Sequence, residues 1–434
     1  MARLRKCLVI TIFVTMFFIV LTGIPQRSQA ADDELVIAIV TGLTGSTATW
    51  GNQTLNMAKL IEEEINAAGG FKIKGRNVKV VFKYYDSESN PQVGSSVTER
   101  AIGDGAKFVM AGPQSSVGFT SSELCERAGI LFIDFSNTTD KLSERNFKYF
   151  FRVNAPNGMA VKNSIDYLLY QEKKTGVKLK NVAIFSEDNV TGRSKGDMYA
   201  KFIPQMAPHW NIVSTVYFPA NTKNFTIWLN DFKGKQVDAL LGDQYPTTAI
   251  LVARQSREID YNPKAIHGVH GGWYDPEYGQ NLQWMAIGTT DTCYFSPFSK
   301  ISGLAALNEK YKKKYNGDIP QNAANIACGI TVIKDAVERA GSIDIKTMRE
   351  ALLNTNLTRK EYKEGEWWFI KSYDVKFDQT GQNIKASNIT SVWTSPTKME
   401  PVYPEQFATT SAPWPKLTWS ELEKQYGKMY PLGK

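Results

Sequence analysis

The chain has 434 residues, 42% of them hydrophobic and 22% charged, with a formal net charge of +8. This is a globular composition with core enough for two or three domains, and it excludes a disordered chain or a small disulfide scaffold. Four basic residues (Arg3, Arg5, Lys6, Arg27) lie in the first thirty with no acids beside them; without them the charge falls to +4, scattered among acids, which leaves nucleic-acid binding unsupported.

In chain order, Arg3, Arg5 and Lys6 precede an almost wholly apolar stretch at 8–21, and Ser28-Gln29-Ala30 supplies a small-x-small pattern. That arrangement predicts a cleavable export signal over residues 1–30, cut after Ala30, and a soluble periplasmic product. A membrane anchor needs about 20 apolar residues, and Gln26 and Arg27 fit cleavage better. Cys7 stands before the apolar stretch and is not placed for lipid attachment. Cys125, Cys293 and Cys328 remain, and an odd count leaves at least one thiol unpaired.

From residue 35 onward strands and helices alternate. Strand 35–41 leads to a helix whose Met57, Leu60, Ile61, Ile65 and Ala68 share one face, ended by Gly69-Gly70. Strand 78–84, helix 91–104, strand 108–111, helix 115–127 and strand 131–135 follow. Residues 154–158 read as a break. The alternation then restarts with strand 182–186, helix 192–205, strand 212–218, helix 225–232, strand 239–241 and helix 247–258. Two similar doubly wound parallel-sheet units fit this better than one ten-stranded sheet. Helices are expected at 303–314, 323–340 and 346–353, and strands at 372–377 and 388–394; the stretch 396–434 has no periodicity and is expected to lie along the surface.

Catalytic signatures are weak: there is no phosphate loop and no dinucleotide fingerprint, and the one Gly-x-Ser-x-Gly match, Gly192-Arg193-Ser194-Lys195-Gly196, lies inside the helix expected at 192–205 and makes no hydrolase elbow. His267 and His270 have a spacing that places two metal ligands on one helical turn, but Gly268, Gly271 and Gly272 argue against a helix there. Glu187-Asp188, at a strand end, reads as a solvated loop. No enzyme activity, cofactor or metal is expected. What recurs is small polar residues after strand ends: Thr44-Gly45-Ser46, Gly112-Pro113-Gln114-Ser115-Ser116 and Ser136-Asn137-Thr138-Thr139. Each is also an ordinary way to cap a helix, but three such loops on one sheet edge point to a ligand site, and hydroxyls at a helix start suit an anion.

At Glu64-Ile65-Asn66-Ala67-Ala68-Gly69-Gly70 and Gly112-Pro113-Gln114-Ser115-Ser116 the chain resembles periplasmic solute-binding proteins of branched-chain amino-acid ABC transporters, the leucine/isoleucine/valine-binding type. The stretches 182–192, 238–242 and 324–341, with Pro401-Val402-Tyr403-Pro404 and Trp414-Pro415, fall in that family's order. The resemblance implies two doubly wound parallel-sheet α/β lobes joined by three crossover segments, the type I periplasmic-binding-protein fold. Lobe 1 would hold 31–153 and about 290–358, and lobe 2 would hold 154–289 and about 359–395. It implies a non-enzymatic monomer that closes on a small polar solute (amino acid, amide or small carboxylate) and delivers it to a membrane permease. A ligand-sensing receptor of the same fold is the alternative. By position, the resemblance assigns ligand contacts to Trp50, Ser115, Ser116, Asn137, Thr138 and Tyr245. Two positions depart from the family: its tyrosine before glycine is Thr191, and its acid facing the ligand ammonium is His270. Either Asp243 replaces that acid or the solute lacks an ammonium, with Trp50 and Trp273 as flat walls.

Overall fold

The computed structural model describes residues 34–358 and 373–432. The expected export signal and the expected start of the second lobe's return, at about 359, lie outside these residues. Strands in chain order are β1 (Glu34–Thr41), β2 (Phe71–Ile73), β3 (Arg76–Asp86), β4 (Phe108–Ala111), β5 (Leu131–Asp134) and β6 (Phe150–Arg152). They form one sheet in the order β2-β3-β1-β4-β5-β6, parallel except for the β2–β3 hairpin. Strands β7 (Asn181–Glu187), β8 (Asn211–Phe218), β9 (Ala239–Gly242), β10 (Ala265–Val269), β11 (Thr290–Cys293), β14 (Ile389–Ser395) and β15 (Lys398–Tyr403) form the second sheet. Its order is β15-β14-β11-β10-β9-β7-β8, with β14 and β15 antiparallel to their neighbours. A short hairpin pairs β12 (Asn356–Leu357) with β13 (Val375–Lys376).

Both sheets are covered on both faces, as near-continuous apolar strands require. Along β1, Leu35, Ile37 and Ile39 enter one core, while Ala38 and Val40 enter the opposite one. The first core is closed by helices α1 (Ala48–Ala67) and α10 (Gln321–Ala340), the second by α2 (Pro91–Gly103) and α3 (Ser115–Ala128). In the second lobe α4 (Asn157–Thr175) and α5 (Val190–Met206) cover one face through Val161, Ile165, Tyr199 and Ile203. On the other face α6 (Thr226–Gly234) and α7 (Pro246–Glu258) bury Leu229, Phe232 and Val252 against Phe185 and Leu240. The short α8 (Pro276–Leu282) packs Tyr278 and Leu282 beside them, while α9 (Leu304–Tyr315) and α11 (Ile345–Leu353) return to the first lobe.

The chain passes between lobes three times: after β6, after β11, and between β13 and β14. The last passage falls later than sequence reading placed it, because Tyr373, Val375 and Phe377 still pack in the first lobe's core. The C-terminal stretch also differs from expectation. Residues 398–403 are an edge strand of the second sheet, and α12 (Trp419–Tyr426) buries Trp419 and Leu422 beside Trp284. The reason is amphipathicity too short to read as a period: two apolar residues three apart anchor this eight-residue helix, opened by a Thr418–Glu421 capping box.

Candidate functional site

The strand ends of both sheets face each other across a cleft with an inner chamber of ≈ 150 Å³. Trp50, Ser115, Ser116, Thr138, Thr191, Asp243, Tyr245 and His270 all line it, drawn from loops and first turns of helices up to 220 residues apart. Of the nine residues selected from sequence, only Asn137 is absent from the wall. It is fully buried behind it, with its amide donating to the Ala111 carbonyl at 3.2 Å. Trp273, expected as a flat wall, is likewise sealed in the core, and Tyr274 takes its place at the chamber.

The first lobe contributes donors. Helix α3 begins at Ser115 with no side-chain cap from Gln114, leaving first-turn N–H groups directed at the cleft. Ser115 Oγ accepts the Thr138 N–H at 3.2 Å, so its own proton is left to donate. The loop carrying Thr138 is set by Asp134, whose Oδ1 accepts the N–H groups of Ser136 (3.2 Å) and Asn137 (2.8 Å). Burial pushes the Asp134 carboxyl up to about 7 against the pull of Arg152. Trp50 is held at the rim by a close helix–loop approach: a Cβ on Gly51 would stand 2.0 Å from the Gly42 carbonyl oxygen.

The second lobe contributes a buried ion pair that sequence reading missed. Lys195, in the second turn of α5, turns inward, 1% exposed, and meets Asp243 at 3.0 Å and the Val269 carbonyl at 2.6 Å. Burial raises the Asp243 pKa and Lys195 draws it back. Behind them Asp291, fully buried, accepts the N–H groups of His270 (3.0 Å) and Gly271 (3.4 Å), and burial holds its pKa well above the usual range. Glu187 is not solvated as expected. It is 1% exposed and fixes the Tyr245 turn by accepting the Tyr245 N–H at 2.9 Å and the Thr248 hydroxyl at 2.6 Å. Its neighbour Asp188 does point out, paired with Arg193.

The two histidines serve different ends. His267 is buried on β10 between the hydroxyls of Thr290 (2.8 Å) and Thr292 (3.2 Å), and burial lowers its pKa to about 3. His270, at φ 54°, stacks on Tyr294 at 3.7 Å between ring centroids, with Asn388 Nδ2 2.6 Å from its Nε2. Among the described residues no cluster of His, Cys, Asp or Glu is built to hold a metal. Cys125, Cys293 and Cys328 are all buried.

A family model described as periplasmic binding protein matches residues 34–390. The chain belongs to the periplasmic binding protein family. Among curated relatives, Leu/Ile/Val-binding protein homolog 7 of Brucella abortus is 25% identical over 385 residues, covering 86% of this chain and 92% of that protein. Among solved structures, a branched-chain amino acid transporter substrate-binding protein of Streptococcus pneumoniae, in complex with isoleucine, aligns at TM-score 0.68 and 22% identity over 85% of this chain and 98% of its own. A solute-binding protein of an ABC transporter from Rhodopseudomonas palustris, in complex with 3,4-dihydroxybenzoic acid, aligns at TM-score 0.67 and 16% identity, covering 90% and 100%. The fold is thus that of periplasmic binding proteins throughout the two lobes, and the cleft lies where sheets of this architecture present their strand ends.

Proposed function

We propose that this periplasmic binding protein captures a small organic carboxylate or amide lacking an ammonium group, and presents it to the membrane permease of an ABC importer. The Lys195–Asp243 pair carries the reading. A zwitterionic amino acid needs an acid free to face its ammonium, since a buried unpaired charge is costly. Here the chamber's lining carboxylate is already matched by a lysine, and an ammonium brought beside it would also meet the lysine's charge. The donors of Ser115, Thr138 and the start of α3 suit a carboxylate or carbonyl oxygen.

The protein performs no reaction on this reading: it binds, closes by a hinge motion and releases. Export with cleavage after Ala30, and a monomeric state, belong to the same proposal. Intact mass of the exported protein and light scattering check them. Titration calorimetry with small carboxylates and amides, against leucine, isoleucine and valine, is the direct test. Tight binding of the amino acids with none of the others overturns the proposed solute class.

A further inference from the structure

We propose that the solute carries an aryl tail, and that a second chamber beside the first receives it. This rests on the solute-binding reading above and extends it to the shape of the ligand. A second cavity of ≈ 480 Å³ adjoins the inner one, and Tyr274 and Gln321 line both. Its walls come from both lobes: Gln53 and Asn56 of α1 and Tyr311 and Tyr315 of α9 on one side, Tyr274, Pro276 and Trp393 on the other. Whatever occupies it is therefore gripped by the same closure that grips the head group.

The chemistry of the walls selects an uncharged, flat group. Phe295 and Phe298 add carbon surface on the second crossover. The polar ends of the larger rings are already committed: Trp393 Nε1 donates to the Trp273 carbonyl at 2.6 Å, and the Tyr315 hydroxyl to the Asn56 carbonyl at 2.7 Å. What these rings offer the chamber is their faces and carbon edges, which favour an aromatic guest in stacked or edge-on contact. The charged side chains in its wall, Lys312 and Asp318, face each other at 3.8 Å, so the chamber presents a matched pair, not a lone charge. Tyr274 belongs to the second lobe and lines the inner chamber beside Gln321 and Asn322 of the first. Lobe opening draws it from these residues and joins the two spaces, so a long ligand enters while the lobes are apart.

Calorimetry on the mature chain with two matched series tests this: acetate, butanoate and butanamide against 4-phenylbutanoate and 4-phenylbutanamide. The phenyl compounds should bind at least ten-fold more tightly. Phe298→Ala, on the partly exposed wall, should remove most of that gain while leaving the short compounds unchanged, and Gln280→Trp, which fills the mouth from the surface of α8, should do the same. Equal affinity of the two series, or a phenyl preference untouched by both variants, overturns the second chamber. Short compounds binding while phenyl compounds fail also overturns it and leaves the solute-binding reading intact. Failure of every compound counts against both.

Discussion

The indole N–H of Trp50, on the first lobe, reaches Asp275 Oδ2 on the second at 3.2 Å, and the same ring meets Tyr245 edge-on with centroids 5.7 Å apart. Two contacts from one side chain thus hold the mouth of the cleft shut. Trp50→Phe keeps an aromatic edge for Tyr245 but forfeits the bond to Asp275. A hydrogen bond to a charged group contributes about 1.5–3 kcal/mol, so the variant should shift the closed–open balance by roughly ten-fold or more. X-ray scattering should report a larger radius of gyration for the variant without solute; an unchanged profile shows that the contact does not govern closure.

Ser115 offers a second test. Ser115→Ala removes both the acceptor of the Thr138 N–H and the chamber's hydroxyl donor. Solute affinity should fall by about 1–3 kcal/mol, the penalty of an unsatisfied buried partner. Wild-type affinity in calorimetry reduces Ser115 to a helix-start residue.

The ion pair of the second lobe predicts a coupling. Lys195→Met leaves Asp243 buried without its counter-charge, which destabilises by about 3–5 kcal/mol. The double variant Lys195→Met/Asp243→Leu removes both charges and should recover most of that loss in urea unfolding. A double variant as unstable as the sum of the singles excludes direct coupling.

Asp134 gives stability a pH dependence. Its folded pKa, about 7, lies above the ordinary 3.8, so the folded state holds the proton more tightly. Its contribution is complete below about pH 4 and is lost as pH rises through 7, a span worth on the order of a few kcal/mol. Asp134→Asn keeps an acceptor for Ser136 and Asn137 without the ionisation. Its melting temperature should fall less than the wild type's between pH 5 and 8; parallel curves rule Asp134 out as the source.

The C-terminal helix is structural on this account. Trp419 is 3% exposed and donates from Nε1 to the Tyr261 carbonyl at 2.8 Å. Trp419→Ala should cost about 3–5 kcal/mol, read by calorimetric unfolding, whereas a residue on a surface tail would change stability by less than about 0.5 kcal/mol.

Much of this was readable from sequence where period and burial agree. Strand β4 falls at Phe108–Ala111 as expected, because four apolar residues between a helix end and Gly112 have one good explanation. Strands β10 and β11 escaped notice, β10 because His267 and Gly268 interrupt its short apolar run and β11 because it is polar. Thr290, Asp291 and Thr292 read as loop, yet the threonine hydroxyls are taken up by His267 and the carboxylate by two backbone N–H groups. Helix α4 was hidden by Pro156-Asn157-Gly158, which looks like a break but is a helix start, with Pro156 at the N-cap. In the site, eight of nine chosen residues reach the chamber because a place in the loop or the first helical turn after a strand fixes direction. Lys195 was not legible: a lysine in a helix reads as solvated until its partner, 48 residues on, is placed beside it.

Tyr294 ties the three passages between lobes together, two directly and the third through His270. Its hydroxyl accepts from Asn154 at 3.0 Å and donates to the Ala155 carbonyl at 3.2 Å in the first; its backbone belongs to the second; and its ring stacks on His270, which is bonded to Asn388 in the third. Gln382 adds a tie from the third passage to the Asn154 carbonyl at 3.1 Å. A joint made of free backbone would bend by any amount. One whose three straps are bolted to each other through a shared tyrosine must break or keep those bonds together, so the lobes should snap between a few set angles, as a latch does and a cord does not.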